Sequence, residues 1–442
     1  MRKLNYFLFA LCLSAFSFFS CADKDNMVLN IATPEELSTI VSYEDALAEV
    51  NALLDYFEKD GSGLKTSNKR RNITSYYTTK SEEIKVKSSS NSEEEEDYFV
   101  YVFNFEEDEG YAIISGDTRT VPVLAFAESG SLDEGVEVDN PGLMMFLANT
   151  ETVMHEFFRP MEPLDPWGGG TSSYTTYTSW VNNQVFGTQI AAQWNQWYPY
   201  NNLCPIVNGS RPPAGCVPIA VAQIMYHYGY PNYYYGYNFN WTEMRKHIST
   251  SNSYSPAYNM IAALIQQLGT SSNLDVSYGS DGSGANSENV MRTFRNFGYA
   301  NGGTYKDYNF NEIKSQITAN KPVYVRGYST KTVTKKKFLG ITIGTTTTYG
   351  GGHAWVIDNI LERKRNKNTF INGVLTSQQT QYEYLVYCNW GWNGKHNGYY
   401  YSGSFDTNSG PALKSEVVEE LIEDGTSGNF QFLIKMITGI TK

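Results

Sequence analysis

Residues Ala214 to Gly229 read AGCVPIAVAQIMYHYG, and a cysteine stands at the mouth of what is otherwise a buried apolar helix. Val217, Ala220, Val221, Ile224, Met225 and Tyr228 recur at helical spacing. Pro218 falls in the first turn, where a missing N–H costs nothing because that donor has no partner in the helix. Cys216 therefore belongs at or beside the N-cap, where unpaired N–H groups and the helix dipole favour an anion. A thiol so placed tends to ionise, and the thiolate is the reactive form. A small buried cysteine that happens to begin a helix gives the same local pattern, so chemistry requires a partner elsewhere in the chain.

That partner is a base whose ring nitrogen can reach the thiol. The chain has five histidines. His227 shares the cysteine's helix, and the rise alone carries it about 16 Å away. His155 lies in the N-terminal part, His247 sits in a polar segment with nothing to fix its tautomer, and His396 lies in an Asn/Gly loop. His353 follows Gly350-Gly351-Gly352 and enters the apolar strand Ala354 to Ile357. Glycines there allow another backbone or a substrate to approach while the strand holds the ring. Further on, Cys388-Asn389-Trp390-Gly391-Trp392 ends a strand. The Asn389 side-chain oxygen can accept the imidazole N–H, and Trp390 can keep water off that bond. The same tryptophans also fit an ordinary core.

The remainder of the chain narrows the class. A net charge of −12 argues against nucleic acid as a partner. Met1-Arg2-Lys3 followed by the apolar stretch Leu4 to Phe19 reads as an export signal too short for a membrane span. Phe18-Phe19-Ser20-Cys21 resembles a lipobox with Cys21 as the lipidated residue, whereas Ser20-Cys21-Ala22 fits ordinary signal cleavage. The polar segment Asp23 to Asn26 favours the lipoprotein reading, with the membrane touched only through that anchor. Past the leader, Cys204, Cys216 and Cys388 remain, an odd number for an exported protein, so at least one thiol is unpaired. There is no CxxC, HExxH or intact GxSxG, and no metal or organic cofactor is expected.

Along the chain, Ser42 to Asp45 opens a capped helix that stops near Gly61, and the polar residues 62 to 97 read as a solvated loop. Strands 98–103 and 111–114 and an apolar helix from Asn140-Pro141 through Phe158 complete a small α+β unit with its own core. Pro160 to about Val185 reads as a linker open to proteolysis. From Phe186 a second domain begins with helices and ends in strands, and the Lys/Thr-rich residues 331–350 read as a protruding hairpin.

These stretches together resemble the streptopain family of papain-clan cysteine peptidases. The matching blocks are Trp194-Asn195-Gln196, Gly215-Cys216 with Ala222 to Met225, Gly351 to Asp358 around His353, and Asn389 to Trp392. Tyr101 to Asn104 and Ile113 to Asp117 resemble that family's inhibitory prosegment. The resemblance implies an α+β papain-like peptidase domain, a helical half plus a twisted antiparallel sheet, preceded by a small α+β prosegment domain. Its boundaries would be a signal peptide at 1–21, prosegment at 22–165, activation linker at 166–185 and catalytic domain at 186–442. Cys216 maps to the nucleophile, His353 to the general base and acid, and Gln196 to an oxyanion-hole donor, with Asn389 and Trp390 orienting the histidine. Trp390 follows Asn389 directly where the family's relatives space the two, so a dyad and a triad both remain open. The implied activity is an exported, zymogenic endopeptidase acting on proteins, with its own prosegment as intramolecular inhibitor. A non-catalytic surface lipoprotein and a Cys–His acyltransferase are the alternatives from other classes.

Overall fold

Ser42 caps the first helix through its hydroxyl, which accepts from the Asp45 N–H at 3.1 Å and donates to the Asp45 carboxylate at 2.7 Å. The computed structural model describes residues 40–58, 70–80, 98–157, 173–249, 255–280, 282–329, 337–343, 352–407 and 432–442, the side chains of 80, 98–99 and 155–157 excepted. The proposed signal peptide and Cys21 lie outside them. Helix α1 (Tyr43–Glu58) turns Ala46, Val50, Leu53, Leu54 and Phe57 inward. It packs on an antiparallel sheet of β1 (Ile73–Lys80), β2 (Tyr98–Phe105), β3 (Tyr111–Ser115) and β4 (Val123–Ala127). Helix α2 (Pro141–Phe157) follows, then β5 (Ser173–Tyr177), β6 (Val181–Gly187) and the cysteine helix α3 (Cys216–Tyr228).

A small hairpin, β7 (Tyr233–Tyr234) and β8 (Tyr237–Asn238), and helices α4 (Trp241–Met244), α5 (Pro256–Gly269) and α6 (Glu288–Asn296) complete the helical half. Beyond them run β9 (Asn301–Asp307), α7 (Phe310–Thr318), β10 (Val323–Ser329) and the short pair β11 (Lys337–Phe338) and β12 (Ile341–Thr342). The last strands are β13 (Gly352–Ile371), β14 (Val374–Asn389), β15 (Gly398–Tyr401) and β16 (Phe432–Thr441).

Among the described residues twelve strands form one sheet, ordered β1-β2-β3-β4-β15-β14-β13-β10-β16-β9, with β5 and β6 added along β13. The seam between its two parts is β4 on β15, where Ala127 faces Gly398. A Cβ at position 398 would come within 2.5 Å of the Phe126 carbonyl oxygen, so glycine is what lets the strands pair. Side chains along β13 alternate between the two faces. Ala354 and Val356 pack in the helical half with α3, while Trp355 and Ile357 pack with Met145 and Phe146 of α2.

Four local expectations change. The polar stretch 62–97 includes β1, whose Thr and Tyr residues pair along β2 instead of lying free in solvent. Residues 173–185, expected as open linker, instead carry β5 and most of β6, both paired along β13. The middle of the Lys/Thr-rich segment does not protrude. Phe338, Leu339, Ile341 and Ile343 are buried in the same cluster as α2, and the Val138 N–H donates to the Thr342 carbonyl at 3.0 Å. The N-terminal unit also lacks a core of its own, because Leu361, Leu385, Tyr387 and Tyr399 pack among its residues.

Candidate active site

Gly215 holds the chain at φ 95, ψ 146, a region that disfavours any side chain, and releases it into α3 at Cys216. A Cβ there would also meet the Ser283 carbonyl oxygen at 3.0 Å. The cysteine is therefore the first residue of the helix, partly exposed, with its sulfur beside the free N–H groups of the first turn. Burial pushes the thiol up from its ordinary value, opposed by the Ala354 N–H, the Arg326 guanidinium and the Cys216 and Val217 N–H groups.

His353 enters β13 opposite Gly327 of β10. Its ring is buried, and Nε2 lies 2.9 Å from the Trp390 main-chain oxygen. A carbonyl only accepts, so Nε2 carries the proton and Nδ1 holds the lone pair of the neutral ring. Burial pushes the pKa down to about 4, opposed by the Trp390 contact. With its histidine neutral and its thiol pushed up, this form of the site disfavours the thiolate–imidazolium pair. Among the described residues no hydrogen bond joins Cys216 to His353.

The hydrogen-bond partner of the His353 ring is therefore the main chain of Trp390, and the Asn389 side chain does not make the bond expected of it. Asn389 Nδ2 donates to the Ala192 carbonyl at 2.8 Å, and Oδ1 accepts from Gln223 Nε2 of α3 at 2.9 Å. The reason is geometric. Asn389 is the last residue of β14 and faces the helical half, so its buried amide finds partners there. The Trp390 ring is fully buried between Trp355 and Tyr400, with its indole N–H donating to the His396 carbonyl at 2.9 Å.

One cleft of about 440 Å³ brings Gln196, Trp197, Cys216, Arg326, His353 and Trp392 together. Gln196 is held beside the helix start because its carbonyl accepts from the Ala214 N–H at 2.7 Å. Pro141, the first residue of α2, lines the same cleft. Behind it, a Cβ on Gly142 would meet Trp390 at 2.2 Å and His353 Cδ2 at 3.0 Å, so the N-terminus of α2 lies directly against the histidine. Other candidate bases are elsewhere. His227 Nε2 meets the Asn320 carbonyl, His247 bonds Ser255, and His396 is buried beside Gly130. Cys204 and Cys388 are buried, and all three described cysteines are free.

The sequence profile of the Peptidase C10 family matches residues 194–400, the span that carries this cleft. A second profile, the Spi protease inhibitor, matches residues 38–154. The chain belongs to the streptopain family of papain-clan cysteine peptidases. Streptopain of Streptococcus pyogenes serotype M1 is 25% identical over 363 residues, covering 72% of this chain and 78% of that protein. The thiol protease/hemagglutinin PrtT of Porphyromonas gingivalis is 25% identical over 351 residues, covering 70% of this chain and 35% of that protein. Among solved structures, a fragment of Prevotella intermedia prointerpain A overlays with a TM-score of 0.51 at 21% identity, covering 78% of this chain and 96% of that one. That overlay shows the fold, mixed helix and antiparallel sheet with an N-terminal prosegment-like unit. The chain is a cysteine peptidase, a hydrolase of peptide bonds, with such a prosegment.

Two features of the streptopain-type cleft were not singled out from sequence. Asn140-Pro141 marks a helix start, but nothing local tells that this start faces the histidine. Arg326 interrupts the strand VYVRGYS, and a lone cation in an apolar strand is itself a signal that the side chain reaches a polar space.

Proposed function

We propose that the protein is an exported zymogen of a cysteine endopeptidase that works through a thioester acyl-enzyme. The observation that carries this reading is the meeting of Cys216, His353 and Gln196 in one cleft at the start of α3. In the freed enzyme His353 Nδ1 takes the Cys216 proton, and the thiolate attacks the scissile carbonyl. The Gln196 amide and the Cys216 N–H hold the tetrahedral oxyanion. The imidazolium protonates the leaving amine, and the same ring then activates the water that hydrolyses the thioester. No metal or organic cofactor takes part in these steps, and Trp390 orients the ring through its carbonyl oxygen.

The prosegment acts as the intramolecular inhibitor. Pro141 fills part of the cleft, and the start of α2 keeps His353 dry and neutral. The N-terminal signal directs export, and Cys21 anchors the zymogen by lipid, so cleavage between prosegment and catalytic domain frees the latter from the membrane. Because β5 and β6 are bound into the sheet, the cut that separates the two precedes Ser173. Incubation with unfolded casein tests the reading. Wild type shortens by the mass of its prosegment and cleaves casein, while Cys216→Ala stays full length until active enzyme is added. Casein cleavage by a well-folded Cys216→Ala protein would overturn it.

A further inference from the structure

We propose that Arg326 selects substrates that carry a carboxylate side chain close to the scissile bond. This rests on the peptidase reading above and names a property of the same cleft. Arg326 stands on β10 opposite Ala354, one register position from the Gly327–His353 pair. It therefore faces the helical half, beside Cys216, and lines the cleft itself. Gly352 has no side chain to cover it. A Cβ there would lie 3.2 Å from Arg326 Nε and 3.3 Å from Nη2, so that edge of the guanidinium lies against the bare backbone leading into His353.

Among the described residues the cation has no anionic partner. Its Nη1 donates to Ser287 Oγ at 3.2 Å, and Ser287 Oγ lies 2.6 Å from the Tyr324 hydroxyl. Those partners are neutral, and among the described residues no carboxylate pairs with Arg326. The Nε and Nη2 donors form the planar edge that matches a carboxylate in two parallel hydrogen bonds. A partly buried, uncompensated cation is costly, so an arriving Asp or Glu side chain gains both the pairing and the relief of that cost.

The test uses activated enzyme and matched peptide pairs that differ only in Glu or Gln, with the substituted position moved stepwise through the three residues on each side of the cut. Wild type should favour Glu at one position by about tenfold or more in kcat/KM, the scale of a charge-assisted hydrogen bond. The preference should shrink as salt is raised. In Arg326→Gln it should vanish, and in Arg326→Lys it should survive in part. A wild-type ratio near one at every position, or a ratio unchanged in Arg326→Gln, overturns the inference while casein hydrolysis leaves the peptidase reading standing. If Arg326→Gln slows Glu and Gln peptides equally, the guanidinium serves the thiolate alone and the inference fails. Should the variant not fold, the wild-type ratio and its salt dependence still decide. Absence of cleavage of every peptide and of casein overturns the peptidase reading, and this inference with it.

Discussion

Replacing Gly142 with Ala should make the zymogen leak. The added Cβ would stand 2.2 Å from Trp390 Cε3, 2.5 Å from Cζ3 and 3.0 Å from His353 Cδ2, well inside contact distance. Trp390 cannot step aside, because its ring is fully buried against Trp355 and Tyr400 and its indole N–H is bonded to the His396 carbonyl. The helix must yield instead, although Asn140 Oδ1 caps it through the Gly142 and Leu143 N–H groups at 2.9 and 3.1 Å. Overpacking of this kind costs about 1–3 kcal/mol. The gain in helix propensity from Gly to Ala is at most about 1 kcal/mol and acts in the opposite direction. The middle of the overpacking range, about 2 kcal/mol, less a gain of up to about 1 kcal/mol, leaves a net loss of about 1–2 kcal/mol from the docked state alone. That loss raises the undocked population roughly 5- to 30-fold, at about 1.4 kcal/mol per factor of ten. The assay is the rate of Cys216 alkylation by iodoacetamide in full-length protein on ice, read by intact mass. Cys204 and Cys388 are buried and give little background. After activation the variant should match wild type in kcat/KM, because Gly142 leaves with the prosegment. An alkylation rate within twofold of wild type, or below it, would refute the claim that the start of α2 guards the histidine.

Gln196→Ala should lower kcat by about two to three orders of magnitude with little change in binding of an uncleaved substrate, measured by steady-state kinetics and by affinity for a non-hydrolysable analogue. An unchanged kcat would place the oxyanion donors elsewhere. Acid should loosen the zymogen through His353. Its folded pKa is pushed down to about 4, below the ordinary value of 6.5, so the unfolded or undocked chain binds a proton that the docked form excludes. Its contribution to stability is complete above pH 6.5 and is lost as pH falls towards 4. Thermal unfolding of the Cys216→Ala zymogen should therefore show a steeper fall in Tm across that window than the same protein with His353→Asn. Equal slopes would mean that the ring is not held dry.

How much of this was legible depended on where the signal resides. Gly215, Pro218 and the apolar spacing after them announce the start of α3, and the structure begins the helix at Cys216 itself. The glycines before His353 and the apolar run after it likewise announce a strand entering a tight approach. Polar strands were harder. ITSYYTTK and SYTTY are rich in β-formers, yet their polarity reads as loop, and only pairing with β2 and β13 makes them strands. In residues 331–350 the flanking Lys and Thr runs outweigh the short apolar core FLGITI, which is the part that α2 covers. The shared core and the β4–β15 seam join residues far apart in the chain, where no local pattern can reveal the pairing. The Trp390 carbonyl has no sequence signature at all, since every residue supplies a main-chain oxygen. A side-chain amide such as Asn389 attracts the assignment in its place.

The most direct measurement of the central claim is a titration of activated enzyme with substoichiometric iodoacetamide, following casein hydrolysis and intact mass in the same samples. The account predicts that activity falls in linear proportion to the fraction carrying one label. Peptide mapping should place that label on Cys216, and no activity should remain at one equivalent. Activity that survives complete labelling of Cys216, or that is lost through labelling of Cys204 or Cys388 with Cys216 unmodified, would contradict it.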